Sequence, residues 1–163
     1  MIRSVLLGTV VVLGTQVMGA IDAQAACSAD RVLVKGEWGQ ASFKVTIADT
    51  PELRGRGLMF VEQMGTLEGM LFAYEAPQRA TFWMRNTLIP LDMLFTSPDG
   101  TILTVHENAI PLDETTIDGG PGVQFVLEIN GGMASRLGIE PGDVMQHPIF
   151  GPNAVLPCET TSP

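Results

Sequence analysis

The chain has 163 residues, of which 45% are hydrophobic and 17% are charged, with 9 Lys and Arg against 18 Asp and Glu. This length and apolar content predict one compact domain with a packed core and exclude a disordered chain. The net charge of −9, without a stripe of Lys and Arg, argues against nucleic acid as a partner.

The N-terminal segment has the three parts of a secretory signal peptide. Arg3 supplies an early positive charge, residues 5–13 form a short apolar run, and Ala23-Gln24-Ala25 is a small-x-small cleavage site. We therefore predict a signal peptide over residues 1–25 and an exported protein, periplasmic or secreted, with no membrane span after cleavage. Two alternatives stay open: a transmembrane anchor, although polar residues interrupt the run, and a lipoprotein attached at Cys27.

The two cysteines, Cys27 and Cys158, would both remain in the mature chain. An oxidising compartment favours a disulfide between them, which would join the two ends of the mature protein. In the chain-entropy model, a closed loop of this length stabilises the fold by up to ~5 kcal/mol. The alternative is two free or separately paired thiols.

The first elements after the signal peptide are predicted to be a hairpin and a helix. Residues 26–40 form a lead-in and a first strand, and the alternation over 31–47 is typical of a β-hairpin that turns at Gly39. Asp49-Thr50-Pro51-Glu52 then supplies the cap, the proline and the acid that begin a helix, which we place at 51–60.

From Gly69 onward the chain is predicted to form strands separated by turns. The candidate strands are 70–74, 80–84, 91–96, 101–107, 123–130 and 144–147. A short helix is expected at 132–137, ending at Gly138, and residues 148–163 are expected to be an irregular tail. The predicted fold is mainly β, a compact sandwich or partly closed barrel with one or two short helices.

Three acids interrupt apolar strands, where a lone charge is costly to bury, and they are the candidate catalytic residues. These acids are Asp92, Glu107 and Glu128. Carboxylates of this kind could work in pairs as general acid and base. The alternative is that they are structural, either capping turns or forming internal ion pairs with Arg54, Arg56 or Arg85.

The densest polar stretch begins at an aromatic strand and passes through an Arg-Asn-Thr turn. Together with the acids it predicts a polar site on a β scaffold. The candidate ligand-binding residues are Arg56, Trp83, Arg85, Asn86, Thr87, Asp92, Glu107, Asn108 and Glu128.

Six motifs in this order resemble a known family. They are Asp49-Thr50-Pro51-Glu52 followed by Arg56-Gly57-Leu58-Met59, Gly69-Met70-Leu71-Phe72, Phe82-Trp83-Met84-Arg85-Asn86-Thr87, Pro90-Leu91-Asp92-Met93-Leu94-Phe95, Glu107-Asn108-Ala109 and Val126-Leu127-Glu128. The sequence resembles the family catalogued as domain of unknown function 192 over about residues 41–147. The resemblance implies a small, mainly β domain that is often exported, and it implies no established activity. Where the family more often has Lys, this chain has Arg85.

Three functions are carried forward. The first is a non-enzymatic exported binding or accessory module, whose partner would be a small molecule, a glycan or an envelope protein. The second is a carboxylate-dependent hydrolase of a cell-envelope glycan. The third is periplasmic copper binding through Met and His, because soft thioethers with imidazole can bind copper. We expect no cofactor and no metal, since two His and two Cys are too few for a zinc site unless nearly all take part.

Overall fold

The computed structural model describes residues 27–158. The predicted signal peptide and the last five residues of the predicted tail lie outside this part of the chain. The described strands are β1 (Arg31–Gly36), β2 (Gly39–Ala48), β3 (Glu68–Gln78), β4 (Thr81–Phe82), β5 (Leu91–Thr96), β6 (Ile102–Ala109), β7 (Ile117–Asp118), β8 (Val123–Asn130) and β9 (Val144–Gln146). The helices are α1 (Pro51–Arg56), α2 (Met133–Leu137) and a 3₁₀ turn at Pro148–Phe150.

Seven of these strands form one curled sheet in the order β6-β5-β8-β3-β2-β1-β9, and β4 pairs with β7 in a small second sheet. The pairings in the large sheet are antiparallel except for β2 and β3, which run parallel because α1 lies in the connection between them. The fold is mainly β with short helices, which confirms the predicted fold class.

Both faces of the large sheet are covered. One face packs Phe43, Leu71 and Leu127 against residues of α2 and the 3₁₀ turn. The other face packs Phe72 and Val126 against the segment after α1 and the residues around β4. A strand with two covered faces accepts a polar side chain only where that side chain has partners or a cavity. Strand β8 lies in the middle of this sheet and carries the acid that defines the site.

Helix α1 is shorter than the predicted 51–60. Its start has the expected chemistry: the Thr50 side chain accepts a hydrogen bond from the Leu53 N–H at 3.2 Å, and Pro51 is the first helical residue. The helix ends at Arg56 because Gly57 adopts a φ of 49° and Phe60 a φ of 65°, which turn the chain back toward the sheet.

The two ends of the described chain are joined. Cys27 and Cys158 form a disulfide with their Cα atoms 5.6 Å apart, across a sequence separation of 131 residues, which confirms the predicted pairing. The ring of His147 supports the same region, since its Nε2 donates to the Ala29 carbonyl and its Nδ1 accepts from the Ile149 N–H. None of the helices in the described residues has the length and apolar content needed to cross a bilayer.

Candidate functional site

A cavity of about 300 Å³ opens between the C-terminal end of α1, strands β3, β4 and β8, and the turn that follows β4. We call it the arginine pocket. Its lining residues are Arg54, Gly55, Arg56, Gly57, Leu58, Met59, Phe72, Tyr74, Thr81, Phe82, Trp83, Arg85, Thr87 and Glu128. The pocket therefore combines three guanidinium groups, four aromatic rings and one carboxyl group.

Glu128 lies at the inner wall of the arginine pocket. On the neighbouring strands it faces Met70 of β3 and Met93 of β5, so its strand neighbours are apolar on both sides. The residue is 4% exposed, and the hydrogen bonds and ion pairs within residues 27–158 leave its carboxyl without a partner. Every fully buried polar side-chain atom in this part of the chain has a hydrogen-bond partner. The Glu128 carboxyl has none, so its oxygens are not fully buried, and they reach the pocket that the residue lines.

Burial determines the protonation of this carboxyl. Removing it from water raises the pKa of Glu128 to about 8, because the low-dielectric surroundings disfavour the charged form. At neutral pH the group is therefore mostly a neutral carboxylic acid. In that form it can donate one hydrogen bond and accept others.

Arg54 fixes the end of α1 to strand β3. Its Nη1 donates to the backbone carbonyls of Asp49 at 2.7 Å and Ala73 at 2.8 Å, and its Nη2 pairs with Glu75 at 3.2 Å. The guanidinium also lies over the ring of Tyr74, 5.0 Å from its centroid. Arg54 is thus occupied by the protein and forms part of the pocket wall.

The other two arginines of the pocket are available. The ion pairs within residues 27–158 involve Arg54, Arg79 and Arg85, and Arg56 takes part in none of them. Arg85 is half-exposed, lies 5.4 Å from the ring centroid of Trp83, and reaches Glu114 only at 3.9 Å. Exposed pairs at that distance are weak, so both guanidiniums are free to bind an anion.

The turn after β4 is held by backbone hydrogen bonds. Asn86 adopts a φ of 54°, and its carbonyl accepts from the Phe60 N–H at 2.8 Å, while the Thr87 carbonyl accepts from the Leu112 N–H at 3.1 Å. Phe60 and Leu112 also have positive φ values of 65° and 64°. Left-handed conformations are costly for such residues, and their concentration around one turn is typical of functional sites.

Asp92 lies in the core and not in the pocket. Its Oδ1 accepts from the N–H groups of Asn108 at 2.8 Å and Gly132 at 2.9 Å, and its Oδ2 accepts from the Ala134 N–H at 2.7 Å. These three bonds replace the solvation that the fully buried carboxylate has lost. Asp92 thus joins the start of α2 to the end of β6.

The three candidate acids are not brought together. Met93 is paired with Glu128 and Asp92 with Ile129, and because directly paired residues share a face, the two acids lie on opposite faces of the sheet. Glu107 is exposed and lines a separate cavity of about 310 Å³, which Asn108 also lines. Of the nine candidate binding residues, the arginine pocket contains five, which are Arg56, Trp83, Arg85, Thr87 and Glu128.

His147 and several of the methionines lie in packed surroundings. Both ring nitrogens of His147 are hydrogen-bonded, and burial lowers its pKa, so the ring is neutral and engaged. Met84, Met93 and Met145 are buried in the two apolar clusters. Within residues 27–158, no three His, Cys, Asp or Glu side chains are grouped so that they could hold a metal ion.

Comparison with known proteins identifies the family. Residues 32–147 match the model of DUF192, whose description is an uncharacterized ACR. The chain belongs to the DUF192 family. This confirms the resemblance carried by the six sequence motifs, and all residues of the arginine pocket lie within the matched part of this DUF192 domain.

Two solved structures are similar to this DUF192 chain. A protein of unknown function from Novosphingobium aromaticivorans DSM 12444 is 45% identical, with a TM-score of 0.69, and the match covers 71% of this chain and 82% of that one. A candidate transcription regulator from Sinorhizobium meliloti 1021 is 42% identical, also with a TM-score of 0.69, and the match covers 75% of this chain and 95% of that one. A comparison with the curated proteins gives no match.

From the wall of the pocket that α1 and β3 supply, the sequence predicts only Arg56 as a binding residue. Arg54 was expected only as a partner for acids, and Phe72 and Tyr74 were assigned to a strand without a role in the site. Strands β2 and β3 are parallel, so the chain between them, which contains α1, must cross the sheet. This connection places Arg54 next to the β3 residues Phe72 and Tyr74 at the pocket. The signal in the sequence is the run Arg54-Gly55-Arg56-Gly57, in which arginines alternate with glycines. Glycine has no side chain, so the backbone between the arginines is open to a ligand in the pocket.

Proposed function

We propose that this DUF192 protein is an exported binding module that takes a small molecule in the arginine pocket. The observation that carries the proposal is Glu128, a carboxyl buried in a central strand, without a partner in residues 27–158, and facing a cavity. The carboxyl oxygens are open to the cavity, where a bound ligand would replace water as their hydrogen-bond partner. The volume of about 300 Å³ is at the lower end for small-molecule sites.

Binding is favoured over hydrolysis of an envelope glycan. A glycosidase needs two carboxyl groups that face one cleft, roughly 5–10 Å apart. Among the described residues, Glu128 is the only carboxylate that lines the arginine pocket. A raised pKa would suit a general acid, but the second carboxylate that hydrolysis requires is not there, since Asp92 lies on the opposite face of the sheet.

Export is part of the proposal and rests on two features. The N-terminal 25 residues have the composition of a signal peptide, and Cys27 is bonded to Cys158, as an oxidising compartment favours. N-terminal sequencing of protein recovered from the periplasm or the culture medium should begin near residue 26. An intact Met1 in the membrane fraction would contradict export.

The binding proposal is tested by NMR on protein recovered after export. We would record ¹H–¹⁵N spectra with a set of neutral, cationic and anionic fragments, each added alone. We expect at least one fragment to shift the indole N–H of Trp83 and the backbone amides of Arg56, Gly57 and Arg85. The indole of Trp38, which donates to Asp143 at 2.7 Å away from the pocket, should not move.

The same spectra are then recorded on a Trp83→Ala variant. Trp83 is 46% exposed, so this substitution removes a ring at the rim of the pocket and leaves the core unchanged. Fragment binding should weaken in this variant. The proposal is wrong if no fragment moves the pocket amides, or if the shifts concentrate on Glu107 and Asn108 in the separate cavity.

A further inference from the structure

We propose that the ligand of the arginine pocket is a singly charged organic anion, a carboxylate on a flat apolar body, held by Arg56 and Arg85 and hydrogen-bonded by Glu128. This inference rests on the proposed binding function and specifies its ligand class. It follows from the charge of the pocket, the shape of its walls and the protonation of its one acid.

The first argument is charge. The chain carries a net charge of −9, yet three of its nine basic residues line this one cavity. Glu75 balances Arg54, whereas Arg56 has no partner in the described residues and Arg85 has only the distant Glu114. Planar guanidiniums bind carboxylates through paired N–H donors, so two free arginines at one rim select an anion.

The second argument is the shape and chemistry of the walls. The rings of Phe72 and Phe82 meet edge to face, with centroids 5.1 Å apart, and Tyr74 lies beside them under Arg54. Trp83 presents an exposed ring at the rim, with Arg85 stacked on it. Aromatic walls favour a flat apolar body, because ring faces and edges pack best against other rings. A small inorganic anion would leave these walls uncovered.

The third argument is that the anion should carry one charge. The titratable and charged groups that line the pocket around Glu128 are Tyr74 from β3, Arg54 and Arg56 from α1, and Arg85 from the turn after β4. The strand neighbours Met70 and Met93 add no charge. A protonated Glu128 donates to an oxygen of the ligand, whereas a second negative charge on the ligand would lose its hydration in the same low-dielectric surroundings that keep Glu128 neutral.

The test uses benzoate as the probe and compares its dissociation constant with those of close relatives at pH 6.5. Benzyl alcohol keeps the ring without the charge, acetate keeps the charge without the ring, and isophthalate keeps the ring but carries two carboxylates, both ionised at this pH. We expect benzoate to bind at least tenfold more tightly than each of the three. A preference for benzoate smaller than tenfold over any of the three would overturn the proposed ligand class.

One further arm distinguishes two sources of the same chemistry. N-acetylphenylalanine presents a ring and a carboxylate as the end of a peptide does. If it binds more tightly than benzoate, the natural ligand is a peptide C-terminus, and if it binds more weakly, the ligand is a free aromatic acid. Both results support a ring-bearing carboxylate.

Variants assign the contacts. Arg56→Gln and Arg85→Gln should each weaken benzoate binding at least fivefold, and both residues are exposed, so the variants should fold. Arg79→Gln is the control, because Arg79 is also exposed and pairs with Asp118 outside the pocket. If Arg79→Gln weakens binding as much as the pocket variants do, general charge and not the pocket holds the anion, and the proposal fails.

The role of Glu128 is read from the pH dependence. Binding to the wild-type protein should weaken about tenfold between pH 6.5 and pH 9, as the acid loses its proton beside the anion. The Glu128→Gln variant keeps a hydrogen-bond donor that does not titrate, so its binding should stay constant over this range. If the wild-type protein and this variant have the same profile, Glu128 does not contact the anion.

The failure of this inference is distinguishable from the failure of the proposed function. If neutral or cationic fragments shift the pocket amides while benzoate does not, the ligand class is wrong and the binding module stands. If no fragment shifts them, both proposals fall together.

Discussion

The neighbouring strands β5 and β8 each carry one buried acid, Asp92 and Glu128, and the surroundings of the two carboxyl groups differ. The Asp92 carboxyl accepts hydrogen bonds from three backbone N–H groups. Glu128, on the other face, has no such donors and faces a cavity. A carboxyl group in this sheet is therefore held by backbone donors on one face and faces a cavity on the other, and the difference lies in the donors that surround it.

The Asp92→Asn substitution tests the structural half of this contrast. The amide turns an N–H₂ group toward a backbone donor, so at least one buried N–H group is left without an acceptor. We expect a loss of about 3 kcal/mol in the free energy of unfolding, measured by urea denaturation at pH 7. A loss below about 0.5 kcal/mol, the size typical of surface substitutions, would contradict the role assigned to Asp92.

The Glu128→Gln substitution tests the other half through stability and pH. The folded protein holds the Glu128 proton up to about pH 8, while the unfolded chain releases it near the ordinary pKa of 4.5. The folded state therefore binds more protons between these values, and the stability that Glu128 contributes at low pH is lost as the pH rises toward 8. The slope approaches about 1.4 kcal/mol for each pH unit.

We expect the free energy of unfolding of Glu128→Gln to increase relative to that of wild type between pH 5 and pH 8, and the difference to level off above pH 8. The control is Glu75→Gln: hydrogen bonds to the backbone and from Arg54 lower the pKa of Glu75, so its difference from wild type should change little between pH 6 and pH 9. Parallel curves for wild type and Glu128→Gln would show that the carboxyl is already ionised in the folded state.

At the scale of elements, the arginine pocket depends on how α1 is attached to the sheet. The helix has six residues and buries no side chain, so packing alone does not fix it. Arg54 attaches the helix to the sheet, because its guanidinium donates both to the Asp49 carbonyl before the helix and to the Ala73 carbonyl on β3. The position of Arg56 in the pocket therefore depends on Arg54.

The Arg54→Lys substitution tests this attachment. Lysine keeps the charge but cannot serve two carbonyls and a carboxylate in one plane, so we expect a loss of about 1–2 kcal/mol in unfolding free energy and weaker fragment binding. Arg79→Lys is the matched control, because its exposed pair with Asp118 should contribute less than about 1 kcal/mol. Equal effects of the two substitutions would contradict a special role for Arg54.

Local patterns in the sequence predicted some elements well and others poorly. Strands β5 and β8 were predicted at their observed ends, and α2 with its terminal Gly138 was predicted within one residue, since apolar runs and glycine stops are local signals. The end of α1 was placed too late, because the turn at Gly57 and Phe60 depends on the hydrogen bond from Phe60 to Asn86, far along the chain.

The same limit applies to the site. Leu91-Asp92-Met93 and Leu127-Glu128-Ile129 have the same pattern, and sequence reasoning assigned both acids the same choice between an arginine partner and a cleft. The two side chains lie on opposite faces of the sheet because of the register between β5 and β8. This register is set by pairing between residues far apart in the sequence. Arg56, Arg85 and Trp83, which the sequence predicts as candidates, line one pocket, but which of the nine candidates meet was not predictable from their order.

At the scale of the whole molecule, the disulfide closes the chain around the sheet. Reduction of the bond between Cys27 and Cys158 should lower the melting temperature by several degrees, because a change of ~1 kcal/mol shifts a domain of this size by roughly 2–8 °C. The fold should survive, since both apolar clusters form without the cysteines. Calorimetry with and without reductant measures the effect, and an unchanged melting temperature would contradict it.

A carboxyl ¹³C NMR titration of Glu128, with and without saturating benzoate, tests the central claim most directly. We predict a midpoint near pH 8 in the free protein and a higher midpoint with the anion bound, because binding that favours the protonated acid must raise its pKa. A midpoint near the ordinary value of 4.5, or one that does not move when benzoate binds, would contradict the account of Glu128 as the acid at the centre of a binding pocket.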